Sequence, residues 1–532
     1  MIMKSNLQNP DKVFMTDETD SAIMNKTGGK FTSKDVIVDF NPSSADLLSG
    51  MDIFVIAEKT PVKHITVCWQ IELESDISIL ADHFERGYGD LEWRGIVPNR
   101  IMPWYFMIHN RKTTDGVGVK TGPNTLCTWQ LDQDVLMLHL DMRNGSLGTL
   151  LQGRKLKAAT VISRIGVEGE SPFRATQDFC RIMCENPILP TAPVYGGNNW
   201  YYAYGRSSQQ KITEDAAFIS SLAEDENRPF MVIDDGWQIC RNGDFTGGPW
   251  HAGNKDFPDM AGLAADMKKS GVKPGLWIRP LLNCGNNSMS WRMPSNRFLK
   301  VECCSEFGCF LDPSVPEVLD LVKTDIERIV GWGYELIKHD FTTYDIFGRW
   351  GFDMFDAVTN ENWHFHDRTK TTIEIILSLY RVIRKAAGNT MIIGCNTIGH
   401  VGAGLFEIQR TGDDTSGIEW ERTRKMGVNT IAFRSAQHNT FFSADADCVG
   451  ITENIPWELN ERWLSLVSRS GTPLFVSADP QKVTDEQKEA IKKAFAIAAK
   501  PMDTCEPLDF LETTCPTKWR LNGEEYRFRW QL

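Results

Sequence analysis

Acidic and basic side chains recur in this 532-residue chain directly after short apolar runs. Asp234 and Asp235 close the run in VIDDGWQ, and Lys338, His339 and Asp340 close the run in YELIKHD (Tyr334 to Asp340). Arg410, Asp413 and Asp414 fall within QRTGDDTSG, and Asp445 and Asp447 follow Ala444. Asn198, Asn199 and Trp200, Trp277 and Arg279, and Cys395 and Asn396 stand in equivalent places. A single Asp at such an end is usually a helix cap or a turn residue. Carboxylates and two cations at several successive ends, aimed at one mouth, are hard to explain as caps. They read as a site that binds and transforms a polar small molecule.

The elements that must position these residues follow from periodicity. After Pro190, strand and helix patterns alternate to about residue 500, which predicts a βα-repeat domain. Eight strand candidates are Val194–Gly197, Phe230–Asp234, Lys273–Trp277, Tyr334–His339, Met391–Gly394, Phe406–Arg410, Thr440–Ala444 and Leu474–Ser477, with Thr430–Phe433 as the alternative seventh. Between them, Met260, Leu263, Ala264 and Met267 form a helical face ended by Gly271. Val318, Leu321, Val322, Ile326, Ile329 and Val330 form a longer stripe with Pro316 in its first turn. Thr484 and Gln487 form a capping box before the last helix. The expected fold class is α/β, a (β/α)8 TIM barrel over residues 189–500. Residues 1–188 carry short strands, such as Val36–Phe40, Asp52–Ile56, Ile65–Trp69, Val135–Leu140 and Ala158–Ile165, which predict a β-sandwich. Residues 501–532 form a short β tail, with a hairpin expected between Thr517–Arg520 and Tyr526–Trp530 around Asn522-Gly523.

Composition bounds the partners. Net charge is −13 and no basic stripe is present, which argues against nucleic acid and anionic membrane surfaces. No run approaches the roughly 18 apolar residues of a membrane span, and the first residues lack the apolar core of a secretory signal. The 13 cysteines follow no framework spacing, so reduced thiols and a cytoplasmic location are expected. Cys303, Cys304 and Cys309 cluster, but no His or further Cys pair completes a metal set. Neither a metal nor another cofactor is called for. The 17 tryptophans are many, and flat aromatic faces also cover the apolar side of a pyranose ring.

VIDDGWQ (232 to 238), IKHDF (337 to 341), RTGDD (410 to 414) and TPLFVSADP (472 to 480) resemble the α-galactosidases of glycoside hydrolase clan D, families twenty-seven and thirty-six, and thirty-six more closely. The resemblance covers about residues 193 to 500, with the motifs in the family's order; GDLEW (89 to 93) is similar to that family's N-terminal domain. It implies Asp340 as nucleophile and Asp414 as acid/base. It also implies Asp234 and Asp235 as acceptors for the O4 and O6 hydroxyls of galactose, and Lys338 and Arg410 as sugar-contacting cations. Asn199, Trp200, Trp277, Cys395, Asn396 and Asp447 complete the expected binding residues. Trp237 is expected in the core, and His339 is expected to face away from both neighbours because side chains alternate along a strand.

These expectations amount to a retaining exo-α-galactosidase. Two carboxylates about 5 Å apart repel by about 3 kcal/mol at an effective dielectric near 20, which would keep the acid protonated. The alternatives are a raffinose-synthase-like α-galactosyltransferase, an α-N-acetylgalactosaminidase, and a carbohydrate-binding protein without catalysis. Arg279 departs from the family pattern and is expected to alter the subsite lining; GCNTIGH departs from it around the region that contacts O2. The segment from Gly87 to Gly95 is expected to reach another domain or subunit, which points to a homo-oligomer.

Overall fold

A computed structural model of the chain describes residues 3–4, 7–45, 47–224, 226–242, 245–299 and 310–532, so the cluster of Cys303, Cys304 and Cys309 lies outside the described residues. Nine parallel strands form the central sheet: β1 (Tyr195–Asn198), β2 (Phe230–Ile233), β3 (Lys273–Ile278), β4 (Leu336–His339), β5 (Met391–Gly394), β6 (Ile408–Arg410), β7 (Ser443–Asp445), β8 (Val449–Ile451) and β9 (Leu474–Ala478). Their order across the sheet is β7-β6-β5-β4-β3-β2-β1-β9-β8. β1, β2 and β4 are buried along their whole length, which is why β2 (FMVI) reads as an unbroken apolar run rather than as alternation.

The two sheet edges, β7 and β8, are consecutive in the chain, with only residues 446–448 between them. The strand expected over Thr440–Ala444 is found shorter and later, as Ser443–Asp445, and a further strand, Val449–Ile451, follows it. Asp447 at φ 74° leaves the extended region and interrupts the ladder. The alternative over Thr430–Phe433 is overturned: those residues lie in a helix, Thr430–Arg434. The better-marked helices are where their caps place them. Met260–Lys269 starts on Asp259, which accepts from the Gly262 N–H at 2.8 Å. Pro316–Gly331 starts on its proline, and Asp485–Ala498 on the Thr484/Gln487 box.

Before the parallel sheet stand two antiparallel sheets of eight and six strands. Val135–Asp141 alternates buried and half-buried residues strictly, as does the second half of Leu48–Ala57. Such alternation belongs to sheets with one face packed and one face toward solvent. Phe106 of the larger sheet meets Trp129 of the smaller edge-to-face at 5.9 Å, and Trp129 stacks on Trp69 at 6.0 Å. At the C-terminal end Lys518–Leu521 pairs with Glu524–Arg527 across Asn522 and Gly523, both at positive φ (48° and 84°). The turn is the one expected, and its second strand starts two residues earlier because a two-residue loop fixes the register. The tail is not free-standing. Trp420 Nε1 donates to the Trp530 carbonyl at 3.0 Å, and Asn429 Nδ2 to that of Thr514 at 2.7 Å, so the tail braces the helices that follow β6. Among the described residues no helix is long and apolar enough to cross a membrane.

Candidate active site

The site is built outward from the end of β4. Alternation sends Lys338 and His339 to opposite sides. His339 is fully buried, bonded to Thr342 Oγ1 and edge-on to Tyr380 and Phe406, each at 5.6 Å. Burial depresses its pKa to about 3, so it is neutral. Lys338 Nζ reaches Asp234 Oδ2 at 2.7 Å. Asp340 accepts from three donors: Trp277 Nε1 at 3.0 Å to Oδ2, and the Phe341 and Asn396 backbone N–H groups at 2.7 and 3.2 Å to Oδ1. Burial alone would raise this carboxyl's pKa. Lys338, Arg86 and the Trp277 N–H outweigh it, and the group lies below the usual carboxylate range. Asp340 is therefore an ionised, oriented and buried carboxylate. Trp277 is itself 1% exposed; what it offers this site is an indole N–H.

The ends of β1 and β2 hold the next pair. Asp234 Oδ2 also accepts from Asn198 Nδ2 at 2.8 Å, while the Asp234 N–H donates to Asn199 Oδ1 at 2.8 Å. Asn199 is thus a strut under β2. Asp235 is oriented by Gln238 Nε2 at 2.6 Å. Trp237 is core, with its Nε1 on the Trp277 carbonyl at 2.9 Å. Trp200 opens the short helix Trp200–Ala203, half-buried, with its ring 5.3 Å from that of Tyr204.

From β6, Arg410 spreads over three groups: Asp447 Oδ1 at 3.1 Å, Cys395 Sγ at 3.6 Å and Asp414 Oδ1 at 3.0 Å. Asp447 also accepts from the Tyr201 hydroxyl, and from the Thr415 N–H and Oγ1 at 2.7 and 3.0 Å. It anchors Arg410 from behind. Burial pushes the Cys395 thiol well up, so it is neutral, and pushes Asp445 up to about 6. The neighbours Asp413 and Asp414 differ sharply. Asp413 is tied by Arg86 at 3.2 Å and Arg422 at 2.7 Å. Asp414 keeps a side chain 40% exposed at the mouth. Burial of its surroundings raises Asp414, but Arg410, Arg86 and Lys338 prevail and lower it. The expectation that repulsion from Asp340 keeps Asp414 protonated is not met in the free protein, because three cations outweigh one carboxylate.

Two of those features were hidden in the sequence. Arg86 and Glu85 come from the loop after the strand Ser78–Ala81, and the segment they open reaches this same chain's parallel sheet. The Gly87 N–H donates to the Thr411 carbonyl at 2.8 Å and the Asp413 N–H to the Gly87 carbonyl at 3.0 Å, a parallel bridge between Gly87 and Gly412. Gly412 also lets this turn pack against the following helix: a Cβ there would lie 2.2 Å from the Met426 carbonyl oxygen. Glu85 is buried beneath, accepting from Tyr88, from Asn396 Nδ2 and from the Gly351 N–H at 2.9 Å. Asn396 therefore touches Glu85 through its amide and Asp340 through its backbone. The density of aromatic and charged residues from Arg86 to Trp93 was the available signal; the roles of Glu85 and Arg86 were not readable from it. Arg279 corrects another expectation. It is buried in a bidentate pair with Asp345, at 2.6 to 3.1 Å, over the Phe341 ring, and is spent on holding the turn after β4.

No protein-family model matches the chain, and no curated protein matches it by sequence. Solved structures do match. An α-galactosidase of Thermus thermophilus, solved with p-nitrophenyl α-D-galactopyranoside, superposes with TM-score 0.61 at 15% identity over 92% of this chain and 96% of its own. The GH36 α-galactosidase AgaA of Geobacillus stearothermophilus gives 0.61 at 14% identity, covering 91% and 75%. An α-galactosidase of Lactobacillus brevis gives 0.59 at 13%, covering 93% and 70%. The chain thus shares its fold, over nearly all of its length, with α-galactosidases that include those of GH36.

Proposed function

We propose that the chain is a retaining exo-α-galactosidase that removes terminal α-galactose, with Asp340 as nucleophile and Asp414 as acid/base. In this reading the nine-stranded sheet is a (β/α)8 barrel over residues 189–500 whose seventh strand is split around Asp447. The antiparallel sheets are an N-terminal β-sandwich over residues 1–188, and residues 501–532 are the β tail. The observation that carries the reading is the contrast between two carboxylates that feel each other's charge. Asp340 is immobilised by Trp277 and two backbone N–H groups, while Asp414 stands at the mouth with a solvent-facing edge. A nucleophile must be ionised and aimed; an acid/base must reach both a leaving oxygen and water.

The steps follow. Asp340 attacks the anomeric carbon and forms a glycosyl ester as the glycosidic C–O bond breaks; Asp414, protonated in the reacting complex, passes its proton to the leaving oxygen. Water then attacks the ester from the vacated side. Asp414 takes its proton and Asp340 leaves as a carboxylate. Esterification removes one negative charge beside Asp414, which favours its ionised, basic form for the second half. Asp234, Asp235 and Lys338 suit the hydroxyls of a terminal sugar: two acceptors flanking one donor. A galactosyltransferase would use the same intermediate with a sugar acceptor in place of water.

The test is turnover of an aryl α-galactoside. Wild type should hydrolyse it and release the α-anomer first, read by proton NMR. Asp340→Ala should lose about a thousandfold or more in kcat, with azide restoring product as the β-galactosyl azide. An inert wild type, or first release of the β-anomer, would sink the proposal. A terminal N-acetylgalactosaminide as the better substrate would move the assignment to the alternative sugar.

A further inference from the structure

The loop that crosses from the N-terminal sheets into the mouth is built to hold one guanidinium. Arg86 is buried, lies over the rings of Tyr88 and Trp350 at 5.9 and 5.6 Å, and points its two terminal nitrogens at Asp413 (3.2 Å) and Asp414 (3.7 Å). Its backbone is fixed on both sides. Arg434 Nη1 donates to the Glu85 carbonyl at 2.6 Å and to the Thr411 carbonyl at 3.0 Å, and Gly87 bridges to Gly412. So the residue before Arg86, the residue after it and the turn it contacts are joined by the Arg434 guanidinium and a main-chain bridge. An Arg in rigid register with two adjacent carboxylates is costly to bury and has no need to be so placed for packing alone.

We propose that Arg86 is a positioning residue of the reaction: supplied by the N-terminal sheets of the same chain, it clamps the Asp413–Asp414 turn and governs when Asp414 gives up or takes a proton. This rests on the reading of Asp414 as acid/base. The groups that face Asp414 divide by sign. Arg410 stands at the end of β6, four residues before it, and Arg422 donates to the Asp414 carbonyl at 2.7 Å. Lys338 reaches it from β4 and Arg86 from the other domain. Against them stand Asp413 beside it and Asp340 across the mouth, with the hydroxyls of Tyr201 and Tyr204 in range of its charge. Lys338 is committed to Asp234, and Arg410 divides between Asp447 at 3.1 Å and Asp414 at 3.0 Å. Arg86, by contrast, makes its ion pairs among the described residues with Asp413 and Asp414 alone. Removing it leaves Asp414 closer to its ordinary behaviour, protonated to higher pH. A substrate with a poor leaving group, which needs that proton most, gains relative to one with a good leaving group.

The experiment uses the full chain and three variants, Arg86→Met, Arg86→Lys and Asp413→Asn. Asp414 is followed directly as the 13Cγ signal of labelled aspartate, assigned by its loss in Asp414→Asn. Arg86→Met should titrate at higher pH than wild type, Arg86→Lys between the two, and Asp413→Asn, which deletes a neighbouring negative charge, at lower pH. In kcat/KM against pH the limbs of Arg86→Met should both move to higher pH, the basic limb further, because Arg86 also acts on Asp340. The ratio of kcat/KM for an alkyl over a p-nitrophenyl α-galactoside at pH 7 should rise at least severalfold. An Asp414 titration unmoved in the Arg86 variants that fold, or moved upward in Asp413→Asn, would overturn the proposal. The carbon signal reports without turnover, so an inert wild type would overturn the galactosidase reading alone.

Discussion

Trp277 shows how much a side chain's role depends on which of its atoms is in play. Its ring is almost wholly buried, packed edge-on near Trp250 and Phe341, and its single N–H points at Asp340 Oδ2. A hydrogen bond to an ionised group contributes roughly 1.5–3 kcal/mol. Trp277→Phe should therefore lower kcat by about ten- to a hundredfold. KM should stay nearly unchanged, because little ring surface reaches the mouth. The lost donor lets the Asp340 pKa rise, so the acidic limb of the pH profile should move to higher pH. A large KM effect with a constant kcat would instead make Trp277 a binding platform. At this scale the sequence was informative about where a residue sits and less so about what it does there. The ends of apolar runs located Asp234, Lys338, Asp340, Arg410 and Asp414. That Asn199 holds a backbone N–H, that Asp447 backs Arg410 and that Arg279 pairs with Asp345 depend on neighbours from other strands, which no local pattern encodes.

Among the elements, legibility followed local determinants. Helices with a proline or a capping box at the start, such as Pro316–Gly331 and Asp485–Ala498, were readable because a few adjacent residues close their first turn. β7 and β8 were not, since three residues each carry too little pattern and the break between them rests on the backbone of Asp447. β4 gives the sharpest check of strand alternation. His339 is sealed among Tyr380, Phe406 and Thr342 and is neutral, with its pKa depressed to about 3 against about 6.5 in an unfolded chain. A depressed histidine costs nothing above the unfolded pKa. Below it the unfolded state binds the proton first, so stability falls with pH until the folded pKa is reached. Between pH 7 and pH 5 this single group should remove about 2 kcal/mol. His339→Phe should lose some stability at pH 7 with the Thr342 bond, regain it relative to wild type at pH 5, and keep its activity at both. Melting curves of the two proteins across that range are the measurement. Parallel pH dependence would mean that His339 is protonated in the fold, and lost activity would mean that it faces the site.

The whole molecule makes one site from two separated stretches of chain, and one of the contacts that join them is a buried ion pair. Arg434 and Asp82 meet at 3.1 Å with both side chains almost fully buried, and Gln437 Nε2 donates to the same carboxylate at 2.9 Å. More than three hundred residues of sequence separate the partners, so neither composition nor periodicity could pair them; only the closed fold does. Arg434 simultaneously ties the main chain just before Arg86 to the turn after β6, through the Glu85 and Thr411 carbonyls. Removing one partner of a buried pair strands the other charge and typically costs about 3–5 kcal/mol, whereas removing both costs far less than the sum. Arg434→Met should accordingly lower the melting temperature by several degrees and lower kcat, because the Arg86 loop loses its anchor. Asp82→Asn should lower stability by a similar amount, since it strands the buried Arg434 guanidinium, but lower kcat less, because Arg434 keeps the Glu85 and Thr411 carbonyls. The double variant should recover part of the loss in stability, with a coupling of about 1–3 kcal/mol, but not the loss in kcat, because the two carbonyl contacts are still missing. Additive stabilities would show that the pair does not bind the two parts together. A double variant with wild-type kcat would show that the loop holds Arg86 in place without Arg434.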